Sequence, residues 1–350
     1  MHKIILIVLS LFATSSFATE LADIYQSQLA VANQGELERQ RVSPDILHQV
    51  LLKVVGDRSV LDAADLTPIL SGVGSLIQQS QYTRLTEITD DLTQPDQLAL
   101  VLTFNESAVN QALANSGLPI WSKSRPDVIV WLTIDNGQTP RILAADDDDT
   151  LYTKTLEQAA AERGLPILLP IMDLQDQNQL SIADLWAGIP TPIEQASQRY
   201  GAKIILLARV TVLANDVVKI DWQSIINGTI EQWQSNGKIT STLQAGIDEF
   251  TDSLARDLTQ VVTSQDQQIS MLEINSVRDY ADYSRTMAYL SNLQYVSDLQ
   301  MVALEDDKLA VTIQIRGDKS VFMRTLAIER VIQQESGDVA SDVMRYRLLP

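Results

Sequence analysis

The amino-acid sequence predicts a mixed α/β and α+β protein: a central mixed-sheet α/β domain flanked by two small β-α-β-β-α modules. Three observations predict it. Residues 128–134 (VIVWLTI) form a continuous apolar run, the mark of a strand covered on both faces. Apolar strands then alternate with helical periodicities as far as a meander, which implies helices packed on a mixed sheet. Residues 96–102 (DQLALVL) and 307–313 (DKLAVTI) match in pattern, and each leads into a helix. That match reads as a weak internal repeat, with chance likeness between two amphipathic hairpins as the standing alternative.

The chain opens with Lys3, an apolar run over 4–13 and small residues at Ser16 and Ala18. This is the layout of a cleaved secretory signal peptide over 1–18, too short in its apolar part to be kept as a membrane span. Export to the periplasm is the expectation, with no transmembrane segment in the mature chain. Removing 1–18 leaves 332 residues with 25 bases against 45 acids, a net charge of −20. Such a surface repels phosphate backbones and anionic lipid headgroups, so nucleic acid is excluded as a partner. There is no cysteine, hence neither a disulfide nor a lipidated N-terminus. A chain of this length carries more than one domain.

The N-terminal module is expected over 19–120. A strand at 21–31 precedes a helix carried by Ile46, Leu47, Val50, Leu51, Val54 and Val55, with Pro44 at its start and Gly56 at its end. A second helix is predicted over 67–79, strands over 82–90 and 97–104 with Pro95-Asp96 between them, and a helix over 106–115. The central domain, 121–265, places strands at 128–134, 167–172 and 204–213, then a meander through 217–226 and 229–233. Helices are predicted at 151–163, 181–187, 192–200 and 245–262. The C-terminal module, 266–350, is expected to be ferredoxin-like. Its strand at 269–274 is followed by a helix at 279–290, a hairpin of 296–304 and 309–315, a helix at 319–333 and a last strand at 343–348. The phrase GLPI at 117–120 and 164–167 follows a helix each time and reads as helix termination.

Candidate chemistry is sparse. His48 is the mature chain's one histidine and lies within a helix, so a serine–histidine–aspartate set has little to work with. No nucleophile elbow, dinucleotide fingerprint or phosphate loop occurs, and no cofactor is expected. Zinc and copper lack imidazole and thiolate ligands here. Asp146, Asp148 and Glu157 fall at calcium-loop spacings, but Leu151 stands where that loop needs glycine. Acids preceding a helix N-terminus are the alternative reading of that run. If the strands at 128–134 and 167–172 are parallel neighbours, Asp135, Asp173 and Asp176 share the carboxyl rim where open α/β sheets collect ligands. Trp131 is expected in the core, and Trp222 and Trp233 are expected to face each other across the meander.

Several stretches resemble domain-of-unknown-function family 2066, secreted envelope proteins of Gram-negative bacteria. They are DIYQSQLAV (23–31), LLKVVGDRSVLD (51–62), GLPIWSKSRPDVIVWL (117–132), RGLPILLPIMDL (163–174), ADLWAG (183–188) and RYGAKIILLARV (199–210), with the Trp222, Gly228, Trp233 spacing after them. The resemblance implies location and architecture, and no activity or catalytic residue. The functional expectation is a periplasmic, non-enzymatic binding or scaffold protein with an envelope protein as partner. The alternative is a carboxylate-based hydrolase or small-ligand binder at the acidic rim. Oligomeric state does not follow from the residues.

Overall fold

In a computed structural model of the chain, the described residues are 24–350 apart from 86–96, 122, 124, 138–141, 146–147, 149, 216, 260–266, 294, 317–318, 329–330, 336–342 and 350. The leader predicted over 1–18 and the Pro95-Asp96 turn therefore lie outside the described residues. The fold is mixed α/β, with three sheets among the described residues.

The N-terminal sheet has the order β1 (Gln26–Ala30), β3 (Gln97–Phe104), β2 (Ile77–Leu85), antiparallel throughout. One face of it buries Leu100, Leu102 and Phe104 against helix α1 (Glu36–Val55) and helix α5 (Glu106–Asn115). The predicted start of α1 at Pro44 is corrected, since Pro44 lies inside the helix. The apolar stripe begins only at Val42, and the two turns before it are held by exposed Glu–Arg pairs, Arg39 with Glu36 and Arg41 with Glu38. The helix predicted over 67–79 is two pieces, α3 (Thr67–Ser71) and α4 (Val73–Leu76), broken at Gly72 and followed at once by β2. A further helix, α2 (Arg58–Asp62), is capped by Asp57, whose carboxylate accepts from the Ser59 amide.

The central sheet runs β5 (Ile142–Leu143), β4 (Val128–Asp135), β7 (Ile204–Val212), β8 (Val217–Ile226), β9 (Thr229–Lys238), with β6 (Ile167–Leu168) also on β4. β4 is parallel to β7 and to β6, as its uninterrupted apolar run predicts. One face packs under α6 (Leu151–Glu162) and α10 (Ile239–Leu258); Trp222, Trp233 and Phe250 stack there with ring centroids 5.9 and 6.2 Å apart. The other face holds Ile129, Trp131 and Leu207 beneath α8 (Ile182–Ala187) and α9 (Pro190–Ser197), preceded by α7 (Leu174–Gln179).

The C-terminal sheet has the order β11 (Val296–Glu305), β12 (Lys308–Arg316), β10 (Gln267–Asn275), β14 (Val343–Leu348), β13 (Ile332–Gln334). Helices α11 (Tyr280–Asn292) and α12 (Lys319–Ile328) cover one face. The first three strands follow the ferredoxin-like path, but the strand beside β10 is β14, which runs parallel to it. β13 forms a hairpin outside β14, so the ferredoxin-like expectation is corrected in its last third. The cause is local: α12 ends at Ile328, and buried Ile332 pairs with Leu348 instead of continuing the helix to 333. The matched segments, described over 97–102 and 307–313, hold equivalent places. Both β3 and β12 are flanked by the first and second strands of their modules, the arrangement that a repeat requires.

Candidate functional site

The structure brings Asp173 and Asp176 together and leaves Asp135 apart. Asp173 caps α7, accepting from the Gln175 and Asp176 amides. Arg199 then grips it through both terminal nitrogens, at 2.6 and 2.8 Å, and reaches Asp176 at 2.9 Å. Asp176 is fully buried and also accepts from the Met172 amide and the Tyr200 hydroxyl. The Arg199 hydrogen bonds hold the Asp173 carboxyl well below the usual carboxylate range. Burial, and then the bond to Asp176, pushes the Tyr200 hydroxyl up to about 12. Both carboxylates are thus committed to a cation and a phenol, and they brace the loop that carries Met172 at a φ of 58°.

Asp135 ends β4, six residues beyond Ile129, the partner of Leu168; that is about 20 Å of strand. It lies opposite Thr211, and its carboxylate accepts from the Gly137 amide in its own turn. β5 takes the edge of β4 where β6 would have to continue to reach it.

Of the calcium-loop set, Asp146 lies outside the described residues. Asp148 accepts from the Ala145 amide, while Thr150 and Thr153 cap α6 reciprocally. Glu157 faces a cleft one turn further along the helix. Among the described residues no group of three or more His, Cys, Asp or Glu is placed to hold a metal ion.

What the sequence reading missed is a buried ionic knot joining the N-terminal module to the central domain. Arg163, 1% exposed, donates to Asp248 at 2.7 Å, to Asp252 at 2.6 Å and to the Gly56 carbonyl. Arg58 clasps the same two acids, at 3.0 Å to Asp248 and 2.7 Å to Asp252. Burial raises the Asp252 carboxyl, but the bonds from Arg163 and Arg58 outweigh it and leave it lowered. Arg125 stacks on Trp121 at 4.1 Å and donates to the carbonyls of Lys53, Arg163 and Gly164; burial pushes its guanidinium down to about 9. Gly56 sits at φ 84°, where a Cβ would meet the Trp121 ring at 2.6 Å and Ala255 at 2.7 Å. The signal was present: a glycine beside a charge at each helix end, in VVGDR and ERGLPI.

Above this knot opens a cleft of about 850 Å³. One wall is the outer face and free edge of the N-terminal sheet, rimmed by α1; the other is α6. Lys154, Glu157, Gln158 and Ala161 recur at helical spacing along that second wall. Glutamine dominates the lining, with Gln26, Gln28, Gln49, Gln81, Gln158 and Gln244. Gln28 and Gln81 flank Val101 on adjacent strands, and their amides have no partner among the described residues. In the floor, the buried Nε of Arg163 likewise lacks an acceptor among the described residues.

Residues 18–122 match a family model described as a domain of unknown function, DUF8605. No curated protein matches the chain. Among solved structures, the competence damage-inducible protein A of Klebsiella pneumoniae is 13% identical, with 43% of this chain and 92% of that one covered and a TM-score of 0.20. An uncharacterized protein is 9% identical over 39% of this chain and 93% of its own, at a TM-score of 0.16. The allophanate hydrolase of Kluyveromyces lactis is 8% identical over 72% of this chain and 61% of its own, also at 0.16. No helix among the described residues is long and apolar enough to cross a membrane.

Proposed function

We propose that this chain is an exported, non-catalytic binding protein of the bacterial envelope, related to domain-of-unknown-function family 2066, whose ligand enters the cleft between the N-terminal module and α6. The observation that carries this reading is the cleft itself. It offers about 850 Å³, unengaged Gln28 and Gln81 amides, and a floor held rigid by paired charges. Amides that both donate and accept suit a neutral polar ligand, and a pre-formed wall lowers the ordering cost of binding. The acidic rim offers less, because Asp173 and Asp176 are already engaged by Arg199. An envelope protein is the partner class that export would supply.

A photo-crosslinking residue placed at position 28 or 158, on opposite walls of the cleft, should capture the same species in intact cells. The same residue at exposed Glu305 should capture none of it. Equal capture from all three positions, or none from either wall, defeats the reading. Export is tested separately, by fractionation and N-terminal sequencing of the mature chain.

A further inference from the structure

The open edge of β1 sets the ligand class more narrowly than the cleft's polarity does. Tyr25 accepts from the Phe104 amide and Val31 donates to the Leu98 carbonyl, so the odd-numbered residues of this strand hydrogen-bond to β3. By the alternation of an antiparallel ladder, the N–H and C=O groups of Gln26, Gln28 and Ala30 point away from β3, off the sheet. The Gln26 carbonyl is met there by the Lys53 ammonium at 2.9 Å, which fixes where the edge faces. Gln28 and Ala30 keep main-chain donors and acceptors with no partner among the described residues, about 6.8 Å apart along the strand. Gln26 and Gln28 both line the cleft. This open edge therefore runs along a walled space at Gln26 and Gln28.

We infer that the cleft binds an extended polypeptide segment of about five residues, which adds to the N-terminal sheet as a strand beside β1. This rests on the cleft reading above and names its ligand class. Main-chain pairing with Gln28, and with Ala30 just beyond the cleft lining, supplies the affinity, and side chains on one face of the added strand meet the Gln28 side chain, with Val101 and Gln81 one and two strands further in. The lining sets its charge. Lys53, Arg58, Lys154 and Arg163 stand against Glu157, Glu162 and Asp248, a near balance within a chain of net charge −19. A nearly neutral segment matches that balance, whereas a strongly acidic one meets the field of the whole molecule.

The test uses the full mature chain, a randomised decapeptide display library, and an array of neutral oligosaccharides as the competing arm. Library selection should enrich a peptide family whose binding falls about tenfold or more in Gln28→Pro, which removes one edge N–H that the ladder does not use. Gln28→Ala keeps that N–H and removes only the side-chain amide, so it should lose clearly less than Gln28→Pro; equal losses in the two variants overturn strand addition. Circular dichroism reports whether Gln28→Pro folds; if it does not, the peptide carries the test. N-methylation at alternate residues should abolish binding in one frame and spare it in the other. No enriched peptide, or peptides indifferent both to Gln28→Pro and to the methylation frame, overturns strand addition. Glycan binding lost in Gln81→Ala would then leave the cleft reading standing with another ligand, and silence in both arms would remove both.

Discussion

Arg199 holds Asp173 with two nitrogens while the α7 amides hold the same carboxylate from the other side. Every one of these partners prefers the ionised form, so the folded carboxyl titrates below the unfolded one, near 3.8. A group whose folded pKa is depressed contributes stability that is complete above its unfolded pKa and is lost as pH falls towards the folded value. The gap in urea midpoint between the native chain and Asp173→Asn should therefore be widest near about pH 7 and shrink towards about pH 3. A gap that stays constant across that range would show that Asp173 acts through shape alone. At this scale the sequence was only half legible. The proximity of Asp173 and Asp176 could be read from their spacing, but Arg199 and Tyr200 arrive from the far end of α9, and only the folded chain brings them in.

Helix α10 shows how tightly an element can be specified by one residue. Gly246 faces Trp222, and a Cβ there would lie 2.1 Å from the indole ring. The ring cannot retreat, because Trp233 stacks on its far side and its own Nε1 donates to Ser235 at 2.9 Å. Gly246→Ala should cost about 3 kcal/mol in urea unfolding, at the upper end of overpacking penalties. In the Trp222→Leu background the same substitution should cost much less, since the double mutant no longer carries the collision. Equal costs in both backgrounds would place the strain elsewhere. The tryptophan pair was readable from the meander turns, because facing strands put Trp222 opposite Trp233. The glycine was not readable, since close approach leaves no mark in helical periodicity. Elements misread at their ends share a similar cause. Polar turns hid the start of α1, and an isolated Ile332 looked helical until β14 gave it a partner.

Across the whole molecule, the mixed α/β class was legible because the segments of each of the three sheets carry their own apolar periodicity, whereas the seam between the N-terminal sheet and α10 is held by charges. Arg58, Arg125 and Arg163 hold that seam. The cleft above it depends on two modules meeting, so no single segment announces it. Arg163 is the keystone, with Asp248, Asp252 and the Gly56 carbonyl all gathered on one guanidinium. Arg163→Met leaves two carboxylates in a half-buried site with Arg58 alone, which should cost about 3–5 kcal/mol. That loss falls on the seam, so the N-terminal module should melt ahead of the rest and calorimetry should resolve two transitions. Adding Asp248→Asn and Asp252→Asn to Arg163→Met removes the stranded charges and should recover part of the loss, because a missing partner costs more than a missing pair. A single transition in Arg163→Met, with no recovery in the triple variant, would mean that apolar contacts around Trp121 hold the seam and the charges only follow it.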